Sequence, residues 1–360
     1  MRPYNFSAGP AMLPESLLKE AQAELLNWHD LGISVMEMGH RQPMFQALME
    51  DSESALRTLL NIPKNYHILF LGGAARTQFA MIPLNLLNDG DRAAYLVSGL
   101  WSSLAYQEAE RLKSVYCLAT GEPGGFKSLP HGSNADIKPN TTYLYYTPNE
   151  TVNGLRIATP PNIPGVPLIA DMTSCLLSEP INISDYGMIF AGAQKNIAPA
   201  GLTLVIIRDD LVNKQSDTPI PTMLTYQTFA QTHSKYATPP TFNIYMANKM
   251  FAWVKEQGGV AALYDINCKK AAMLYDYIDA STFYTCDVEI NARSLMNVCF
   301  RIKDSALEDT FVASATDHHL FGLKGHRLAG GLRASIYNAM PLSGVQALIE
   351  FMEAFAEENS

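Results

Sequence analysis

Six short apolar runs set the strongest limit on what this chain can fold into: His67–Leu71, Ala93–Val97, Thr142–Tyr146, Val166–Ala170, Met188–Ala191 and Thr203–Ile207. Each is too brief for a helix and reads as a buried strand, and several are separated by enough chain for a crossover helix. Such alternation predicts an α/β fold with a mainly parallel sheet covered by helices on both faces. Leu17, Ala21, Leu25 and Trp28 mark an amphipathic helix over Leu17–Trp28 that Pro14 is placed to begin. Beyond about Lys255 the pattern changes to helical stretches through Tyr277, then strand signals at Val288–Glu289 and Asn297–Ile302. Val345, Leu348, Met352 and Phe355 recur at helical spacing near the end, as the core-facing stripe of a last helix. At 360 residues the chain exceeds the size at which one core stops growing. The expected division is a large domain over 15–258 and a smaller α+β domain built from 1–14 and 259–360.

Two of these strands end in a pair of residues that needs explaining. Val166–Ala170 runs into Asp171, and Met188–Ala191 runs into Gly192-Ala193-Gln194-Lys195. A small-residue turn after a buried strand leaves Lys195 at the mouth of a sheet, where a lysine can lose its proton. Pyridoxal phosphate chemistry wants such a pair: a lysine amine forms a Schiff base with the cofactor aldehyde, while a carboxylate keeps the pyridine nitrogen protonated. The plain alternative is that Asp171 caps a turn beside Thr173 and Ser174 while Lys195 is a surface residue, and spacing alone does not decide between them.

Composition narrows the classes. A net charge of -9 argues against a general nucleic-acid binder, and an anionic ligand would need a local basic cluster. No run of 18 apolar residues occurs, and MRPYNFSAGPAML lacks a signal peptide's basic start and apolar core, so no membrane association and a cytoplasmic location are expected. Cys117, Cys175, Cys268, Cys286 and Cys299 are odd in number and without CxxC spacing, which indicates neither a disulfide framework nor a metal site.

Local basic clusters are present. In HILFLGGAARTQFAMIPLNLL a strand runs through Gly72-Gly73 into a helix, whose free N–H groups and dipole favour an anion beside Arg76. The turn has neither GK[ST] nor GxGxxG, so nucleotide readings lose ground. His40 and Arg41 sit in one turn-like segment, and His326, Arg327 and Arg333 in another. Arginine suits carboxylates and phosphates because its planar fork donates two parallel hydrogen bonds. Any one of these residues alone reads better as a surface charge. Gly330 and Gly331 just before Arg333 suggest close backbone approach instead.

NFSAGPAMLP at 5–14, MGHR at 38–41, PNET at 148–151, AGAQKNIAPAGLT at 191–203, TPPT at 238–241 and GHRLAGGLRASIYNAMP at 325–341 occur in that order along the whole chain. Together they resemble the phosphoserine aminotransferases, fold-type I pyridoxal phosphate enzymes of the class V aminotransferase kind that work as homodimers. The resemblance implies pyridoxal 5'-phosphate as cofactor, Lys195 as the Schiff-base lysine and Asp171 at the pyridine nitrogen. It implies Trp101 stacked on the ring, Thr151 near the phenolic oxygen, and Ala75, Arg76 and Gln194 around the phosphate, with Ala237 and Thr238 reaching the cofactor of the second subunit. For substrate it implies Arg333 on the α-carboxylate and His40, Arg41, His326 and Arg327 around the distal anion. The implied reaction passes the amino group of L-glutamate to 3-phosphohydroxypyruvate, giving O-phospho-L-serine and 2-oxoglutarate for serine biosynthesis. The longer 4-phosphohydroxythreonine of pyridoxine biosynthesis is a further implied substrate.

The chain departs from that pattern in three places. Ser7-Ala8 stands where relatives often have a second serine, so only the backbone of Ala8 offers a polar contact to glutamate. Ala237 replaces an asparagine, removing a hydrogen bond of about 0.5 to 1.5 kcal/mol across the dimer. Ala74-Ala75 replaces glycines, which leaves backbone donors intact. The alternatives are another fold-type I enzyme, such as a cysteine desulfurase or an alanine-type transaminase, and a non-catalytic sensor of anionic metabolites. Cys299 inside the strand pattern MNVCFRI disfavours the desulfurase.

Overall fold

The computed structural model describes residues 2–359, so residues 1 and 360 of the expected small domain lie outside it. Seven strands form the central sheet: β1 Tyr66–Gly72, β2 Arg92–Val97, β3 Val115–Thr120, β4 Thr141–Tyr146, β5 Leu168–Asp171, β6 Met188–Gly192 and β7 Leu202–Arg208. Their spatial order is β1-β7-β6-β5-β4-β2-β3, and only β7 runs antiparallel to its neighbours. All six apolar runs of the sequence fall in this sheet.

Strand pleating sends alternate residues to opposite faces, and two cores result. Ile68, Phe70, Ala94, Leu96 and Leu144 pack on one side with Leu17, Phe45, Leu56, Ile244 and Phe251 from helices Glu15–Glu24, Pro43–Leu59 and Thr241–Glu256. Leu69, Leu71, Ala93, Tyr95 and Tyr143 pack on the other with Phe79, Ile82 and Ala105 from helices Gln78–Leu86 and Leu100–Glu110. Near-continuous apolar strands are what a sheet covered on both faces requires.

The last third of the chain builds a third core around the antiparallel strands β8 Tyr284–Thr285, β9 Asn297–Ile302 and β10 Leu332–Ser335. Helices Gly259–Ala280, Glu308–Asp317 and Leu342–Asn359 cover it, with Val345, Leu348, Met352 and Phe355 all buried as their spacing predicts. The N-terminal segment returns to this region: Tyr4–Asn5 pairs in parallel with Leu320–Phe321, and Phe6 is fully buried there. Buried Lys270 donates to the carbonyls of Ile336, Tyr337 and Met340 at 2.9, 2.7 and 3.0 Å, bracing the turn after β10.

Three local readings change. The first helix ends at Glu24, and Trp28 instead begins a short 3-10 turn in which His29 takes a positive φ of 51°. Pro14 caps the helix from outside, which suits a residue that has no N–H to donate. The strand signal at Val288–Glu289 belongs to a bend entering a 3-10 turn at Ile290–Ala292, while pairing occurs earlier, at Tyr284–Thr285.

Candidate active site

The ends of β5 and β6 deliver the acid and the lysine to one place. Asp171 closes β5 and is buried, and its Oδ1 accepts the backbone N–H of Thr173 at 3.0 Å in an Asx turn. The Thr173 hydroxyl oxygen accepts the Gly192 N–H at 3.1 Å, which fastens the end of β6 to the turn after β5. Asp171 therefore does cap a turn, and it lines a cavity as well. Burial raises its carboxyl above the ordinary value, opposed by the Thr173 hydrogen bonds and the nearby charge of Lys195.

After β6 the chain folds into one tight turn. Ala193 N–H donates to Leu202 O at 2.9 Å, and Ala193 O accepts from Ile197 and Ala198 at 3.1 and 2.8 Å. That closure turns Lys195 inward, where it is 8% exposed. Burial lowers its amine to about 8, with Asp171 and Glu150 pulling it back up and Arg333 pushing it further down.

Both residues line a cavity of about 460 Å3. Ala8, Ala75, Arg76, Trp101 and Thr151 line it with them, as do Gln194, His326 and Arg333. At one end, β1 passes through Gly73, at φ 113° in the region that favours glycine, into the turn Ala75–Thr77 and then helix Gln78–Leu86. Thr77 N–H closes on Ala74 O, while the N–H groups of Ala75 and Arg76 find no acceptor among the described residues. These donors make an anion cup. A Cβ on Gly192 would lie 2.6 Å from Gln194 Oε1 and 3.1 Å from Ala75 Cβ, so a larger residue there would displace the Gln194 side chain at the edge of the cup.

Trp101 forms a wall. The Arg76 guanidinium lies 5.4 Å from its ring centroid and Lys195 Nζ 5.9 Å from the same point. The indole N–H donates to Thr151 Oγ1 at 2.9 Å. Arg333 rises from β10 and donates through Nη1 to the carbonyl of the same Thr151 at 3.0 Å. Its Nε is buried without a partner, so the guanidinium holds a donor in reserve for a carboxylate.

The remaining predicted residues are placed differently. Arg327 and Arg41 are exposed, His40 is buried with its Nε2 unpartnered, Ala237 is half-buried and Thr238 exposed. None of these five lines the cavity of a single chain. Burial, Arg41 and Lys235 lower the His40 pKa, and burial, Arg333 and Arg327 lower that of His326. Ala8 is at the cavity, but its carbonyl already accepts the Tyr337 hydroxyl at 2.7 Å.

Three residues that hold this geometry went unassigned in the sequence: Thr173, Glu150 and Tyr337. Thr173 was legible as the third residue of an Asp-x-Thr turn, and Glu150 as a charge inside the PNET motif. Tyr337 carries no local signal, since its partner lies 329 residues away.

The aminotransferase class-V family model matches residues 3–348. The chain belongs to the class-V aminotransferases. Among curated relatives, the phosphoserine aminotransferase of Legionella pneumophila (strain Corby) is 59% identical over 358 residues, covering 99% of each chain. A solved phosphoserine aminotransferase from Bacillus circulans subsp. alkalophilus superposes with a TM-score of 0.96 at 42% identity, covering 100% of this chain and 99% of that one. A phosphoserine aminotransferase from Trichomonas vaginalis, solved with PLP bound, gives a TM-score of 0.94 at 38% identity over 98% of this chain and 100% of that one. The mostly parallel sheet with a single antiparallel strand is thus the fold of a class-V aminotransferase.

Proposed function

We propose that this class-V aminotransferase moves the amino group of L-glutamate to 3-phosphohydroxypyruvate, yielding 2-oxoglutarate and O-phospho-L-serine, with pyridoxal 5'-phosphate as cofactor. The observation that carries the reading is the convergence of buried Lys195, buried Asp171 and the spare donor of Arg333 on one cavity, in a chain 59% identical end to end to a phosphoserine aminotransferase.

The residues fit that cofactor. The free N–H groups of Ala75 and Arg76, with Gln194, would hold its phosphate, and Trp101 would cover one face of its ring. Thr151 Oγ1 already accepts the indole N–H, so its own O–H remains free to donate to the phenolic oxygen. When bound, pyridoxal phosphate accepts the amino group and takes up the electrons released as the substrate Cα proton leaves.

The chain's own residues do the rest. Asp171 would face the pyridine nitrogen and keep it protonated from a site that excludes water. Lys195, with an amine near 8, would take the proton from the substrate Cα and give it back, and a value close to neutrality suits both directions. Arg333, fixed to Thr151 O by Nη1, orients the α-carboxylate. His326 and Arg327, with His40 and Arg41, would receive the distal anion, a γ-carboxylate in one half-reaction and a phosphate ester in the other. The same pocket extends the proposal to 4-phosphohydroxythreonine.

The reading includes a homodimer in which Ala237 and Thr238 of a second copy reach the cofactor phosphate. It also divides the chain into 15–258 and 1–14 with 259–360; a separate core around the last third supports a smaller unit, although Leu13, Val260 and Leu263 pack with the larger one. Among the described residues no helix is long and apolar enough to cross a membrane, and no group of acidic, histidine or cysteine side chains could hold a metal. We place the enzyme in the cytoplasm. A desulfurase reading loses support, because burial pushes the Cys299 thiol up to about 12, far from a reactive thiolate.

The test is the visible spectrum of the cofactor-loaded protein before and after O-phospho-L-serine, with L-alanine as control. Conversion of the cofactor band by phosphoserine alone is expected. A band unmoved by phosphoserine would send the function to another transaminase or to a silent sensor.

A further inference from the structure

Glu150 is the most deeply buried acid of the cavity region, fully enclosed, yet it touches neither the cavity nor any cation through a hydrogen bond. Its carboxylate accepts the Trp101 N–H at 3.0 Å through Oε2, and the Ser102 N–H and hydroxyl at 2.8 and 2.7 Å through Oε1. These donors open helix Leu100–Glu110, so the acid occupies the positive end of that helix. The Ser102 hydroxyl also accepts the N–H groups of Ser98 and Gly99, at 2.9 and 3.1 Å. A Cβ on Gly99 would come within 2.6 Å of Glu150 Cγ and Cδ, so the chain leaves a fitted space for this side chain.

The next residue completes the arrangement. Thr151 Oγ1 holds the indole end of the same Trp101, while Thr151 O holds Arg333 Nη1. Two consecutive residues thus grip Trp101 at backbone and ring and pass the same anchorage to the guanidinium across the cavity. We infer that Glu150 is a positioning residue, which fixes the Trp101 wall and, through Thr151, the distance between that wall and Arg333.

The carboxylate also acts at a distance. Burial raises its own pKa, opposed by the three hydrogen bonds. The charged groups that face Lys195 are Asp171, Glu150 and Arg333, with the Cys175 thiol, and Glu150 is among those that favour the protonated amine. An uncharged side chain at 150 therefore lowers the Lys195 midpoint while still meeting part of the helix end.

The inference rests on the proposed function for the identity of the ligand, but its grip on Trp101 does not, and the experiment separates the two. Trp101 is one of three tryptophans, so its near-ultraviolet and fluorescence signals are obtained by difference against Trp101→Phe. Glu150→Ala is expected to abolish the ordered Trp101 signal, weaken pyridoxal phosphate binding about 10- to 100-fold and raise the KM for glutamate more than it lowers kcat. Glu150→Gln is expected to restore the Trp101 signal and most of the affinity while moving the Lys195 midpoint down. An unchanged Trp101 signal and cofactor affinity in Glu150→Ala would overturn the inference, whatever the substrate proves to be. If Glu150→Ala does not fold, Glu150→Asp decides alone: an acid one methylene too short to reach the Trp101 and Ser102 donors that left the Trp101 signal and cofactor affinity at wild-type values would overturn it.

Discussion

The two sides of the cavity are built by opposite means. On one side Asp171 and Lys195 sit at or just after the ends of neighbouring parallel strands, fixed by the sheet ladder, by the Asx turn at Asp171 and by the bond between Thr173 and Gly192 that ties the two strand ends together. On the other, Arg333 stands at the start of a short antiparallel strand, held by a carbonyl 182 residues away and preceded by two glycines at positive φ. The loop before it is closed by its own backbone, with Gly325 N–H on Gly331 O and the Ala329 and Gly330 N–H groups on His326 O, while the Arg327 side chain is left exposed. Chemistry that must not vary is set on the rigid side, while recognition of two different anions is set where side chains retain freedom.

The largest test of that contrast is Lys195→Ala. Loss of the group that moves the proton should reduce kcat by at least about 10^3-fold, measured by single-turnover conversion of phosphoserine, with substrate binding little changed. If turnover persisted near the wild-type rate, the rigid side would not carry the chemistry. Arg333→Ala should act the other way, raising the KM for both amino-acid substrates by about 10- to 100-fold through loss of a charge-assisted pair and changing kcat less. Equal losses in KM and kcat would show that the two sides are not separable.

A smaller effect is expected from pH. Capture of pyridoxal phosphate by the cofactor-free protein needs the neutral amine, so its rate should fall about tenfold per pH unit below the Lys195 value of about 8 and level off above it. The stability sign follows from the same shift. Between about 8 and the ordinary lysine value of 10.5 the folded chain binds fewer protons at Lys195 than the unfolded chain, so this residue's contribution to stability improves as pH rises through that window. Stopped-flow capture rates measured from pH 6 to 9 check the first statement, and a tenfold rise per pH unit that continued without levelling to pH 9 would remove burial as the cause.

What could be read in the sequence follows the same division. The β5 and β6 strands are fully buried, so continuous apolar runs announced them and placed Asp171 and Lys195 at their ends. β3 gave no such signal, because Val115–Thr120 is an edge strand with Cys117 and Thr120 exposed and only Tyr116 fully covered. Val288–Glu289 looked like a strand because Val288 is buried, but it packs against Leu155 and Ala292 and not in a ladder. The grip on Trp101 and the bond between Tyr337 and Ala8 join residues 49 and 329 positions apart, and no local spacing encodes them. Motif resemblance supplied the roles on the far side of the cavity that periodicity left open.

The return of the N-terminal segment has a consequence for synthesis. Phe6 O accepts the Ser335 N–H, Ala8 O accepts the Tyr337 hydroxyl, and Ala11 N–H donates to Gln194 O beside the lysine. Two of these contacts join residues synthesised more than 320 positions apart, and loops of that length close slowly. A nascent chain can complete the seven-stranded sheet while the site still lacks one edge. Capture of the cofactor in its final form is thus a property of the finished polypeptide, and a truncated product would carry the lysine without the cavity that tunes it.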